Sequence, residues 1–395
     1  MTLRMLSLCA GAAALLAATA ANAQGTIKIG LIMPYSGIFA DTSTQMDGGI
    51  KLFLKQNGIT VAGKKIEIIR KDVGGINPPV AKRLAQELVT RDHVDILAGF
   101  VLTPNALAAS DVSKQAKVPL VIMNAATSII TTKSPYSVRV SMTLPQITTP
   151  FGQWAAKQGI KTAYTMVADY GPGHDAESGF TKGFAAAGGK VVGSVRMPVQ
   201  AMDYSAFVQK AKDSKAQSIF IFLPAGPQPA AMLNTLIQHG VTPDNTKILG
   251  SGELTDDSAL KRVSDKAVGV ITAYHYDHTH ESALNKKFVA AYRADNKNEN
   301  PDLLAVGGYD GMHLIYDALK KTGGKADGES FIAAAKGMAW ESPRGMIKID
   351  PETRDIVQTI YIRKVVKAGG HLQNQEIDKI ENVKDPVKEA MKMKK

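Results

Sequence analysis

The chain has 395 residues, one cysteine and a formal net charge of +11 at pH 7. A single cysteine excludes a disulfide framework, and lysines scattered over helical segments, with no aromatic-interleaved patch, exclude a nucleic-acid groove. The length allows about two domains, each large enough to bury its own core.

The first element is a leader. Arg4 supplies a positive start, Met5 to Ala20 an apolar run too short and interrupted to span a membrane, and Ala21-Asn22-Ala23 a small-residue cleavage site. Residues 1–23 therefore read as a signal peptide, and the mature chain is expected to be exported. Cys9 lies inside the leader, so no thiol and no cysteine metal site remain.

From Ile27 strands and helices alternate: strand Ile27–Met33, helix Thr42–Gln56, strand Lys65–Arg70, helix Pro79–Arg91, strand Asp95–Ala98, helix Asn105–Lys117, strand Pro119–Asn124. Such a run predicts a parallel, doubly wound sheet covered on both faces. Thr103 stands where an N-cap belongs and Pro104 at the first helical position. A helix N-terminus facing a strand's carboxyl end offers free N–H groups and a positive dipole end to a carboxylate. After the next strand, Ala125-Ala126-Thr127 again places small residues and a hydroxyl. Two adjacent strand ends of this kind suggest a small anionic ligand; the alternative is that Thr103 only caps its helix.

A connecting segment, Tyr136–Met142, ends at Leu144-Pro145, and the alternation restarts. Strands are expected at Thr162–Ala168, Lys190–Met197, Ser218–Pro224 and Lys247–Gly250, with helices His174–Ala187, Tyr204–Asp213 and Gln228–His239 between them. A strand, Val268–Tyr276, leads to helices Glu281–Asp295 and Asp302–Thr322, the second stopping at Gly323-Gly324. A short helix, Gly328–Met338, and two late strands, Met346–Ile349 and Thr359–Val366, follow. Beyond Gly370 the residues are polar and charged, and 371–395 is expected to be a basic, mobile tail.

The run His275-Tyr276-Asp277-His278-Thr279-His280-Glu281 has metal-ligand residue types, but it lies where a strand gives way to a helix, and a solvated turn explains it; no metal is expected. No nucleophile elbow, phosphate loop or dinucleotide fingerprint is present, so no catalytic residue and no cofactor are expected. Phe100 and Tyr276 stand near strand ends, where they either line a cleft or belong to the core.

Several of these stretches, in order, resemble one family: Ile27-Lys28-Ile29-Gly30, Pro34-Tyr35-Ser36-Gly37, Ala98-Gly99 with Thr103, Ala125-Ala126-Thr127, Asp169-Tyr170-Gly171, Asp203-Tyr204-Ser205-Ala206-Phe207, Gly308-Tyr309-Asp310-Gly311 and Pro343-Arg344-Gly345. The chain resembles the periplasmic substrate-binding proteins of ABC importers, of the leucine/isoleucine/valine-binding type. The resemblance implies an α/β type I binding fold, two Rossmann-like lobes that close like a clamshell on a ligand. Lobe 1 would comprise 26–143 and 276–341, lobe 2 144–275 and 342–370, with crossovers near Ser141–Thr143, Tyr274–Tyr276 and Glu341–Arg344. It further implies that Thr103 and Thr127 meet a ligand carboxylate, that Ala125 offers a carbonyl to an ammonium, and that Tyr170 forms an aromatic wall. Glu253 would pair the ammonium, though it matches the family's acidic position only with a one-residue shift. Ala225-Gly226-Pro227 stands where the family's amino-acid binders often carry an aromatic. The implied function is capture of a branched-chain or other amino acid in the periplasm, without chemistry, and delivery by a monomer to an inner-membrane ABC permease. Binding of aromatic or other organic acids, or ligand sensing for a membrane receptor, are the alternatives.

Overall fold

A computed structural model of the protein describes residues 25–393, and the leader expected over residues 1–23 lies outside the described residues. The first half runs β1 (Thr26–Met33), α1 (Ala40–Asn57), β2 (Thr60–Val61), β3 (Lys64–Asp72), α2 (Pro78–Thr90), β4 (Ile96–Gly99), α3 (Thr103–Ala116), β5 (Leu120–Ile122), α4 (Ile130–Lys133) and β6 (Ser137–Arg139). Then come α5 (Leu144–Lys157), β7 (Thr162–Ala168), α6 (Gly171–Ala186), β8 (Lys190–Met197), α7 (Ser205–Asp213), β9 (Ser218–Phe222), α8 (Gln228–Gln238), β10 (Lys247–Ser251), α9 (Asp257–Leu260) and β11 (Ile271–Tyr274). The chain closes with α10 (Ala283–Asp295), α11 (Leu303–Lys321), α12 (Gly328–Ala335), β12 (Ala339–Ser342), β13 (Gly345–Ile349), β14 (Ile356–Ala368), β15 (His371–Val383) and α13 (Pro386–Lys392).

β1 pairs in parallel with β3 on one side and β4 on the other, and its last five residues are all buried. A strand apolar on both faces needs cover on both. Ile29 and Leu31 pack with Met46, Ile50 and Phe53 of α1 and Leu304 and Ile315 of α11, while Ile32 faces Leu84 and Leu88 of α2 and Ala109 of α3. The first sheet has the order β2-β3-β1-β4-β5-β6, all parallel except β2. Strand order reverses beside β1, which opens a crevice at the carboxyl ends of the strands. In the second sheet β8-β7-β9-β10-β11 are parallel, and β14 adds antiparallel to β11 with β13, β12 and β15 beyond it.

Besides short additions such as β2, α4 and β12, three longer stretches depart from the sequence reading. The Tyr136–Met142 connection contains β6, which pairs with β5 from Leu120↔Ser137 to Ile122↔Arg139. Leu144-Pro145 starts a helix: Thr143 accepts from Gln146 N while the Gln146 side chain accepts from Thr143 N, a capping box with the proline in the first turn. Residues 371–393, expected as part of a mobile tail, instead form β15 and α13. Gly369 and Gly370, at φ 58° and 86°, make the tight turn that folds β15 back on β14 in register from Ala368↔His371 onward. Buried Asp385 and Lys388 then anchor α13.

Candidate ligand-binding site

Helix α3 begins two residues after Val101. Its cap is Leu102, in extended backbone at φ −109° and ψ 130°, with no side-chain cap bond, so Thr103 is the first helical residue. This corrects the expectation of Thr103 as N-cap, and the correction matters chemically. Thr103 Oγ1 accepts from the Thr127 amide at 3.4 Å and from the Thr127 hydroxyl at 3.2 Å. With two bonds accepted, its own proton is left to donate outward. Beside it lies the positive end of a 14-residue helix.

The second wall comes from the other sheet. Tyr170 precedes α6, and a Cβ placed on Gly171 would stand 2.9 Å from Thr127 Oγ1 and 3.7 Å from Thr103 Cγ2, so only glycine lets this helix start close over the threonine pair. The Tyr170 ring stacks on Phe222, at the end of β9, with centroids 6.1 Å apart and planes 23° apart. Between the walls lies a narrow, nearly closed cleft. Val101, Leu102, Thr103, Asn124 and Ala126 line one side; Tyr170, Phe222, Pro224, Ala225 and Glu253 line the other. Met142, Leu144, Pro172 and Leu303 complete the lining.

Two lining acceptors are buried without partners, Asn124 Oδ1 and Glu253 Oε2. The Asn124 amide nitrogen donates to Val101 O at 2.8 Å, which leaves its oxygen toward the cavity. Glu253, 4 % exposed, follows β10 in a turn of 3₁₀ helix. Burial pushes its carboxyl above the usual range, against the pull of the Ser251 and Tyr274 hydroxyls and of Arg363. Burial and then Glu253 push the Tyr170 phenol up as well. Arg363 donates to Gly252 O at 3.0 Å and pairs with Asp277 at 2.9 Å, so its charge is largely committed behind the site. A buried acceptor with no donor is costly, and Asn124 Oδ1 asks for one from a ligand, while Glu253 has the otherwise unpartnered hydroxyls of Ser251 and Tyr274 beside it.

Of the sequence-derived candidates, Thr103, Tyr170 and Glu253 line the cavity, and Thr127 stands behind Thr103. Ala125 does not line it; it packs in the core beneath, its amide donating to Phe100 O, and its neighbours Asn124 and Ala126 take the surface. Phe100 and Tyr276 are core. Phe100 takes a left-handed φ of 63° that turns its ring in among Leu97, Ala106 and Ile122, and Tyr276 bonds Asn285 at 3.1 Å among Phe288 and Tyr292. Asn124, Phe222 and Leu303 were not anticipated; position at the carboxyl end of a strand or the start of a helix was the available signal. Within the histidine run, His280 bonds Glu376 at 2.9 Å and Asp277 is held by Arg363 and Asn374, while buried His275 has a partner on neither ring nitrogen.

A sequence model of the family described as periplasmic binding protein matches residues 26–370. The chain belongs to that family. The Leu/Ile/Val-binding protein homolog 6 of Brucella melitensis is 43 % identical over 373 residues, 94 % of this chain and 95 % of that one, which bears out the branched-chain type of periplasmic binding protein. Two solved structures of ABC-transporter solute-binding proteins superpose with a TM-score of 0.89 each, over 92 % of this chain and 99 % of theirs. One, from Rhodopseudomonas palustris BisB5, is 52 % identical and holds 3,4-dihydroxybenzoic acid. The other, from Rhodopseudomonas palustris HaA2, is 41 % identical and holds p-hydroxybenzoic acid. The type I binding fold is thereby shown, and the family and these neighbours are solute-binding proteins of transport systems.

Proposed function

We propose that this periplasmic binding protein captures a hydroxybenzoate-class aromatic acid and presents it, as a monomer, to an inner-membrane ABC permease after export through the leader at residues 1–23. The observation that carries the ligand class is the Tyr170–Phe222 stack beside a single carboxyl, Glu253, which burial holds toward its neutral form. A flat aromatic wall suits a planar ring, and a neutral carboxyl suits a ligand hydroxyl better than an ammonium, which needs a countercharge. Thr103 and the N-terminus of α3 meet the carboxylate. The 52 % and 41 % identical neighbours with bound hydroxybenzoates support the same reading.

In mechanism, a ligand anion held by Thr103 is sealed in when the Tyr170 and Glu253 wall closes over it, and ligand shifts the hinge equilibrium by binding the closed form better. The hinge lies where 26–143 with 276–341 meets 144–275 with 342–370; there Arg344 donates to Ser141 O at 3.1 Å and pairs with Asp310 at 2.9 Å. A second reading, an amino-acid ligand, is favoured by the two orphan acceptors, Asn124 Oδ1 and Glu253 Oε2, which could share an ammonium. Calorimetric titration with 4-hydroxybenzoate, 3,4-dihydroxybenzoate, leucine and phenylalanine decides. Heat from the benzoates is the expected result; heat from the amino acids alone overturns the proposal.

A further inference from the structure

The two-residue loop Thr127–Ser128 is held by more partners than a turn requires, and two of the anchoring side chains come from the end of the chain. Arg139, fully buried, donates Nη2 to Thr127 O at 2.8 Å and Nη1 to Met142 O at 3.0 Å. Its Nε stands 3.2 Å from Asp355, itself 2 % exposed. The other Asp355 oxygen receives Lys388 Nζ of α13, which also donates to Thr131 Oγ1. One residue on from Thr127, the Ser128 hydroxyl donates to Asp385, the residue that caps α13 by accepting from Val387 N at 2.9 Å. The Ser128 amide donates to Asp175 Oδ2 of α6 at 2.9 Å, across to the opposite wall.

We propose that α13 is a clamp that positions the anion end of the ligand site, acting through Lys388 and Asp385 on the Thr127–Ser128 loop. The inference rests on the reading of Thr103 as the group that meets the ligand carboxylate. The line of contact is continuous: Lys388 fixes Asp355, Asp355 pairs by charge with the Arg139 guanidinium, whose Nε makes no hydrogen bond, Arg139 fixes the Thr127 carbonyl, and Thr127 holds the Thr103 hydroxyl beside the cavity. Arg139 also holds the carbonyl of Met142, a second lining residue. The four buried charges, Arg139, Asp355, Lys388 and Asp385, balance in sign. A buried ionic network of this kind contributes little net stability, yet removing one member leaves the others without a partner. Its effect is to select one arrangement of the groups it touches. Lys388 and Asp385 are thus positioning residues; neither lines the cavity.

The test is a double-mutant cycle of Lys388→Met with Thr103→Val, titrated with 4-hydroxybenzoate, together with amide hydrogen exchange of the ligand-free protein. Lys388→Met is expected to weaken binding about tenfold alone and by no more than about twofold in the Thr103→Val background, because the two act on one contact. Exchange of the Thr127 and Ser128 amides is expected to accelerate about tenfold while the amides of β7 stay protected. Lys388→Arg, which keeps the charge, is expected to restore both readouts. Equal losses in the two backgrounds, or unchanged exchange at Thr127 and Ser128, overturn the clamp. If Thr103→Val alone leaves the titration unaltered, the carboxylate reading fails, and amide exchange still decides the clamp by itself. Should Lys388→Met not fold, Asp385→Asn takes its place: faster Ser128 exchange supports the clamp, and unchanged exchange overturns it.

Discussion

The two walls of the cavity solve opposite problems. On the Thr103 side the polar groups satisfy one another, Thr127 donating twice to Thr103, and what is left over is a donor, a hydroxyl proton at a helix N-terminus. On the Glu253 side the leftover is an acceptor, a carboxyl oxygen with no partner in a setting where burial raises its proton affinity. A ligand with an anion at one end and a hydrogen-bond donor at the other completes both, and binding either end alone leaves the opposite wall unsatisfied. The difference between the walls therefore encodes the polarity of the ligand, and the apolar residues between them its body.

The largest expected effect comes from breaking the donor wall. Thr103→Val keeps the shape and removes a charge-assisted hydrogen bond worth ~1.5–3 kcal/mol. Affinity for 4-hydroxybenzoate should fall roughly ten- to a hundredfold by calorimetry, and the melting temperature of the free protein should drop as well, because the buried Thr127 amide and hydroxyl lose their acceptor. An unaltered affinity would move the carboxylate elsewhere. The next effect is a pH dependence from the acceptor wall. Asp256, Arg363, Tyr170 and Tyr274 are the titratable groups around Glu253, and burial, with Asp302 next, also raises Asp256. Closure over the ligand raises the Glu253 pKa above its value in an open, hydrated cleft. A raised pKa means the closed complex binds more protons, so affinity declines as pH rises from the ordinary carboxylate range through the raised value, by at most about tenfold per unit, and it falls again below that range as the ligand carboxylate itself takes up a proton. Titrations in buffers of different protonation enthalpy, carried from pH 7 down toward the ordinary carboxylate range, should reveal proton uptake on binding. Proton release would mean that the bound form carries an ionised Glu253, as an ammonium ligand requires.

How much of this was legible beforehand follows the same division. The alternation of strand and helix was plain wherever apolar periodicity was strong, as in β1, β9 and α11, because covered parallel strands and long amphipathic helices leave a dense signal. It failed at β6, a three-residue strand with two polar side chains, and at β15, whose polar face hides a hairpin that Gly369-Gly370 announces. Thr103 was reachable because strand ends and helix starts are where ligands sit, and Tyr170 and Glu253 only through the family resemblance. Asn124 was not, since its significance lies in one amide bond to Val101 that frees its oxygen. The contacts of Lys388 and Asp385 are 257 residues away in the chain, at Thr131 and Ser128, and no local pattern reports a pairing of that range.

The smallest expected effect is also the most discriminating. Glu253→Gln preserves size, keeps a carbonyl-type acceptor where a ligand hydroxyl would donate, and makes the side chain permanently neutral. If Glu253 is neutral in the complex, glutamine imitates the bound state, and 4-hydroxybenzoate affinity at pH 7 should change by less than about threefold. The cost of protonating the carboxyl disappears in the same variant, so proton uptake should vanish and the pH profile flatten. An amino-acid ligand behaves otherwise: its ammonium would lose the one acidic group that lines the cavity among the described residues, and affinity should drop by ~2–5 kcal/mol, as for one partner removed from a desolvated pair. The two ligand classes thus separate by orders of magnitude on one isosteric change. A steep loss of 4-hydroxybenzoate binding in Glu253→Gln would show that the acceptor wall works as a charge and not as a neutral hydrogen-bonding group.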